Sequence, residues 1–277
     1  MANVIKLRKG LDIHLTGKAK SVQVTPLKSK QYAVVPDSFG GVIPKVLVRE
    51  GDRVKAGDAL FVNKKYPEEK FASPVSGEIT AVVRGDRRKV LAITIQADET
   101  QDYVDFGRRD VKTLTGDEVK NVLLEAGLFG FIQQLPYAVA TTPDTLPRDI
   151  FVSAFRDMPL AADFEVELQG NEAPFQAGLT ALSKMQTTHL SMHKRQTATA
   201  LLQAKQVELH VIEGKCPAGN VGVQINHIAP VNKGEVVWTV DPAVVIMIGR
   251  LFLTGKVDLR RVIAVAGSEV NHPTYVE

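Results

Sequence analysis

The chain is short of the residues that several kinds of chemistry require. Among its 277 residues there is one cysteine, Cys216. A lone thiol closes no intrachain disulfide, and it cannot by itself hold an iron–sulfur cluster or a cysteine-rich zinc site. Such sparing use fits a reducing cytoplasm. Long apolar runs are also missing. The longest, Ala243 to Leu253, is interrupted by Arg250, whereas a bilayer-spanning helix needs about 20 apolar residues. Near the start, Lys6, Arg8, Lys9 and Asp12 break up any signal-peptide core. Charge of one sign is scarce too, the formal net charge being +3. Lysines and arginines are dispersed. The densest run, Arg84 to Lys89, contains Asp86 and falls in an expected turn. It reads as a solvated loop, and no face for tracking nucleic-acid phosphates is expected.

What remains is ordinary globular material, 44% hydrophobic and 23% charged, with a mean hydropathy of −0.02. A chain of this length is expected to form two or three compact units, each with its own core.

Residues 42–62 alternate β-prone runs with Glu50-Gly51-Asp52 and Ala56-Gly57-Asp58. Glycine supplies the positive φ of a tight turn, and aspartate bonds nearby backbone. Ser73-Pro74-Val75-Ser76-Gly77 marks another turn before a strand. Val48 to Arg53 is echoed by Val83 to Arg87, which suggests two similar hairpin halves. From residue 103 the pattern changes. Thr115 and Glu118 have capping-box spacing, Val119, Val122, Leu123 and Ala126 follow at helical spacing, and Gly127 supplies a stop. Strands are expected at 150–154, 189–192, 207–212 and 236–240, and helices at 173–182, 197–204 and 243–253. That alternation predicts a parallel α/β sheet, in which ligands sit beyond the carboxyl ends of the strands.

Catalytic motifs are missing. There is no Gly-x-Gly-x-x-Gly and no Gly-x-Ser-x-Gly. Gly249 to Lys256 imitates a phosphate loop, but its gap is one residue too long and Val257 stands where a magnesium-holding hydroxyl is needed. Gly255 reads instead as a helix stop. His189 and His193 are four apart, but Leu190 occupies the place of a catalytic glutamate. They read as hydrogen-bonded histidines, so no metal site and no catalytic residue is expected. Cys216 beside His210 reads as a packed or loop thiol.

The segment Glu-Gly-Asp-x-Val-x-x-Gly-Asp-x-Leu from Glu50 to Leu60, with Ser73-Pro74-Val75-x-Gly77, resembles the biotinyl/lipoyl family, a flattened barrel sandwich. In that family a hairpin lysine carries the cofactor. Lys64 and Lys65 stand nearby without the family's sequence context, so both are expected to be unmodified.

Further blocks extend the likeness along the chain: Ile5 to Ile13, Phe61 to Lys65, Pro159 to Ala162, Pro217 to Gly219, Pro230 to Asn232 and, most distinctive, Ile248 to Gly255. Together they resemble the A-subunit family of the Na+-translocating NADH:quinone oxidoreductase, collinearly from residue 4 to 277. That family is similar in turn to the C subunit of the Rnf complex and the flavin subunit of respiratory complex I. The resemblance implies a barrel-sandwich domain over 1–102 with an N-terminal extension and a Rossmann-like α/β domain over 103–256. Residues 257–277 would begin a truncated β-grasp domain, so the chain is expected to be an N-terminal fragment whose last twenty residues lack packing partners. It also implies a peripheral subunit, soluble when isolated, at the cytoplasmic face of the bacterial inner membrane. Such a subunit would be partnered by the membrane subunits of a complex that couples NADH oxidation and quinone reduction to sodium export. No independent catalysis is expected of it.

In the flavin-binding relatives a glycine-rich loop cradles FMN phosphate and NADH. The equivalent stretch, Gly127 to Pro136, has bulky apolar groups in place of most glycines, which obstruct close approach of a phosphate to backbone N–H groups. FMN, NAD and Fe–S clusters are therefore expected to be absent. Two readings of the loop stand. Leu128, Phe129, Phe131, Pro136 and Tyr137 line a site for ubiquinone or menaquinone, or they fill the vacated crevice. From a different class comes the alternative of a scaffold or a lipoyl- or biotinyl-type carrier.

Overall fold

The computed structural model describes residues 3–20 and 24–277. Two short strands come first, β1 (Asn3–Lys6) and β2 (Val24–Thr25), and both pair with segments far down the chain. Next is a sandwich of two antiparallel sheets. One holds β3 (Gln31–Val34), β5 (Arg53–Val54), β8 (Gly77–Arg84) and β9 (Val90–Ala97); the other holds β4 (Pro44–Val46), β6 (Ala59–Asn63) and β7 (Lys70–Ala72). The glycine–aspartate turns work as their chemistry requires. Gly51 and Gly57 have φ of 87° and 100°. Asp52 and Asp58 each accept the backbone N–H three residues earlier, both at 2.7 Å. Between the sheets, Phe61 and Phe71 stack at 4.4 Å among Leu60, Ile79, Ile93 and Ile95, none of them more than 1% exposed. The two echoed segments are not equivalent: Val48 to Arg53 leads from one sheet to the other, whereas Val83 to Arg87 enters the hairpin between β8 and β9.

The second unit opens with α1 (Gly116–Glu125), whose capping box forms as the spacing predicts. Glu118 N–H donates to the Thr115 hydroxyl at 3.3 Å, and Thr115 N–H donates to the Glu118 carboxylate at 2.7 Å. Thr115→Ala is expected to lower stability by about 1 kcal/mol, read as a shifted urea midpoint at unchanged slope. The following elements are β10 (Gln133–Leu135), β11 (Val139–Ala140), β12 (Ile150–Ser153), α2 (Phe164–Leu168), α3 (Glu172–Met185), β13 (Thr188–His193), α4 (Thr199–Leu202), β14 (Glu208–Glu213), α5 (Val221–Ile228), β15 (Val237–Val240) and α6 (Pro242–Thr254). The seven-stranded sheet runs β1-β14-β13-β12-β15-β10-β11. Its first five strands are parallel, and β10 runs antiparallel to both of its neighbours, β15 and β11. The all-parallel expectation is corrected here, because only residues 136–138 separate β10 from β11 and so short a link permits only a hairpin. The helix expected at 197–204 shrinks to the single turn of α4, which has no side-chain N-cap. One face of the sheet is covered by α1, α3 and α6, the other by α5.

Helix α6 shows how an almost wholly apolar helix is delimited. Asp241 caps it at 2.9 Å, Pro242 takes the first position, and Gly255, at φ 73°, ends it. Arg250 points to partners rather than lipid: its guanidinium donates to Asn171 at 2.9 Å and to the Arg260 carbonyl at 3.0 Å. No helix among the described residues is long and apolar enough to cross a membrane.

The last strands, β16 (Ile263–Val265) and β17 (Thr274–Val276), form a hairpin completed by β2 running parallel to β17. Two sequence expectations change. Residues 3–6 and 24–25, grouped above with the barrel, pair with β14 and β17 instead. The final twenty residues do find packing partners: Tyr275 is 1% exposed among Ala19, Val166 and Val262, and its hydroxyl accepts Asp163 N–H at 3.0 Å. Both contacts join residues far apart in the chain, which local pattern cannot reveal.

Candidate functional site

The five loop residues singled out in the sequence do not converge on one pocket. Leu128 and Phe129 are fully buried, the Phe129 ring meeting Trp238 edge-on at 5.6 Å. Phe131 is half-buried and crosses to the barrel, 5.1 Å from Phe39, which in turn lies 4.6 Å from Phe71. Pro136 is exposed, and Tyr137 is 66% exposed. The loop is thus rooted in the α/β core, runs along the seam with the barrel and surfaces at Tyr137. Glycine is required along this seam. A Cβ on Gly127 would lie 2.6 Å from the Ala72 nitrogen, and one on Gly130 would lie 2.4 Å from the Phe71 ring.

Beneath the loop lies a group the sequence reading missed. Glu69 is fully buried and accepts a 2.8 Å bond from Asn63 at Oε2, while Oε1 has no partner among the described residues. Burial pushes its carboxyl up to about 7; Glu68 adds to the shift and the Asn63 bond opposes it. In the sequence it is one acid in Pro67-Glu68-Glu69-Lys70, a charged run that reads as solvated. The same hairpin holds Lys64 and Lys65, both exposed. It is tied to the α/β unit by Tyr66, whose hydroxyl donates to Asp144 at 2.8 Å.

A separate cleft of about 1110 Å³ opens beyond the carboxyl ends of β12, β13, β14 and β1, the position where open α/β sheets take ligands. Its walls mix apolar Ile13, Leu15 and Met158 with Arg8, Arg156 and Arg195. Arg156 is committed elsewhere, pairing with Glu167 and Asp241, each at 3.2 Å. His193 stacks on Phe155 at 4.4 Å, and desolvation followed by the Arg195 charge lowers its pKa. Nearby, the Cys216 thiol is pushed up by desolvation and by Asp157 and Asp12, the opposite of an activated nucleophile. The carboxyl-end rule locates this cleft from sequence, but its lining comes from loops whose convergence no local pattern encodes.

His189 has a histidine partner that spacing along the sequence does not give. His189 and His193 lie along one strand, and His189 instead meets His210 on the neighbouring strand, Nδ1 to Nε2 at 3.0 Å. Both are 6% exposed. Desolvation, then the neighbouring His189, lowers the His210 pKa, with Glu208 opposing.

Comparison with known proteins places these features in a family. Residues 114–257 match the model described as the NqrA second alpha/beta domain, and residues 5–98 match the NqrA N-terminal barrel-sandwich hybrid domain. Over 276 residues the chain is 36% identical to the A-subunit of the Na(+)-translocating NADH-quinone reductase of Neisseria meningitidis serogroup A, covering 98% of this chain and 61% of that protein. The corresponding protein of Serratia proteamaculans is likewise 36% identical over 278 residues, with the same coverage. That of Yersinia pseudotuberculosis serotype O:1b is 34% identical over 274 residues, again covering 98% and 61%. The chain therefore spans about 61% of the length of the curated relatives it matches. Matched in collinear order over its barrel sandwich and its α/β sheet, the chain belongs to the NqrA family.

Proposed function

We propose that this chain works as part of the NqrA component of a Na+-translocating NADH:quinone reductase, docked on the membrane subunits at the cytoplasmic face and bordering the quinone site. On this reading it carries no FMN, NAD or Fe–S cluster, and electron transfer and sodium export belong to the complex. The α/β unit is then a Rossmann-like domain that has given up its nucleotide, and the segment after residue 256 begins a β-grasp domain. The names of the relatives support membership of the complex. The observation that carries the quinone role is the seam loop. Leu128 and Phe129 anchor it, leaving Phe131, Pro136 and Tyr137 as an apolar, aromatic edge that an isoprenoid quinone can lie against.

The test is photolabelling. A photoreactive ubiquinone analogue, cross-linked to the assembled complex, is expected to mark a peptide within residues 131–137. Tyr137→Ala is expected to reduce that label several-fold with no change in thermal midpoint, since the side chain is largely in solvent. Label confined to the carboxyl-end cleft or to other subunits would sink the quinone role. The scaffold alternative draws on the Tyr66–Asp144 bond, which fastens the lysine hairpin to the neighbouring unit. A covalent adduct at Lys64 or Lys65 in the intact mass would instead establish a carrier.

A further inference from the structure

At the amino ends of the central strands, opposite the cleft, three potential ligands face one another on one side of the sheet. Register dictates this. His189 of β13 pairs with Glu208 of β14 in the parallel ladder, so their side chains share a face, and His210 lies two residues beyond Glu208 on that same face. His189 Nδ1 lies 3.0 Å from His210 Nε2 and 3.3 Å from a Glu208 carboxylate oxygen. One donor atom from each of the three residues lies within 4.8 Å of the other two.

We propose that His189, His210 and Glu208 form a binding site for a divalent transition-metal ion of the zinc class, clipping β13 to β14. Two imidazoles and a carboxylate are a donor set for such an ion, with the fourth position left to water. Ligand atoms about 2.1 Å from a tetrahedral ion stand roughly 3.4 Å apart, close to the separations seen. The surroundings fit as well. The other nitrogen of His189, Nε2, faces the Asp149 carboxylate at 3.7 Å, which places a carboxylate behind a ligating histidine. The His189 ring is held flat on Phe151, 4.6 Å away at 13°. Glu208 is 61% exposed and borders a surface hollow with Thr187 and Gln206, which gives an ion a way in. Nδ1 of His210 has no partner among the described residues, so only one imidazole has an outer-shell anchor.

Calorimetric titration of the full chain with Zn2+, and with Co2+ followed by its visible absorption, tests the site. One ion per chain is expected, with a rise in thermal midpoint and no response to Mg2+, which prefers oxygen ligands. Asp149→Asn is expected to weaken binding about 10- to 100-fold. The exposed Glu208→Gln is expected to weaken it at least about tenfold while leaving the metal-free midpoint unchanged, so a folding defect does not obscure the result. His227→Ala, at an exposed position of helix α5, is expected to change nothing. Absence of Zn2+ and Co2+ binding, or affinity undiminished in Glu208→Gln, overturns the proposal.

Discussion

Gly249→Ala is expected to lower the stability of the α/β unit by about 3 kcal/mol, measured by urea unfolding. Two effects of opposite sign act at this position. Alanine in place of a mid-helix glycine ordinarily stabilises by about 1 kcal/mol through reduced chain entropy. Against this, a Cβ on Gly249 would lie 1.7 Å from the carbonyl oxygen of Pro174 in α3. The obstacle is backbone, so it cannot rotate aside. Nor can α6 slide away freely. Gly178 of α3 faces α6 in the same manner, its Cβ position 2.0 Å from the Val245 carbonyl. Separating the helices would uncover Leu179, Leu182, Ile248 and Phe252, none more than 1% exposed. Steric overlap therefore outweighs propensity. A midpoint unchanged or raised in Gly249→Ala would mean that the two helices do not meet at this distance.

That pair of glycines also shows what the sequence could and could not disclose. Helix α6 is legible from Asp241-Pro242 at one end and Gly255 at the other, and α1 from Thr115 and Glu118, because caps act over three or four residues. The turns at Gly51 and Gly57 are legible for the same reason. Nothing local says that Gly249 faces Pro174, or that Glu208 and His210 flank His189, since these depend on helix crossing and strand register. The loop from Gly127 to Tyr137 is an intermediate case. Its bulky apolar content is plain in the sequence, but one run of residues divides into core (Leu128, Phe129), seam (Phe131) and surface (Pro136, Tyr137) only once the barrel is in place. Antiparallel β10, three residues long and rich in glutamine, lacks the apolar run that betrays its parallel neighbours.

The barrel supplies the other large effect, through Glu69. In the folded chain this carboxyl holds its proton to about pH 7, against an ordinary value of 4.5. Below pH 4.5 it is neutral whether the chain is folded or not, and stability is at its full value. Between the two values the unfolded chain has released a proton that the folded one retains. Stability therefore falls as pH rises, by about 1.4 kcal/mol per unit and about 3 kcal/mol in all, and levels off above the folded value. Glu69→Gln keeps an acceptor for Asn63 and carries no charge, so its unfolding free energy is expected to lack this slope and to exceed that of the unsubstituted chain at pH 8. Parallel curves for the two proteins from pH 4.5 to 8 would refute the burial argument. The destabilisation falls where it matters most for the proposed role. Glu69 lies under Gly130, whose Cβ position is 3.4 Å from its unpartnered oxygen. Charge there opposes the dry contact between Phe71 and the loop, so amide exchange at 129–131 is expected to quicken above pH 7 beyond the intrinsic rate increase, and to lose that excess in Glu69→Gln.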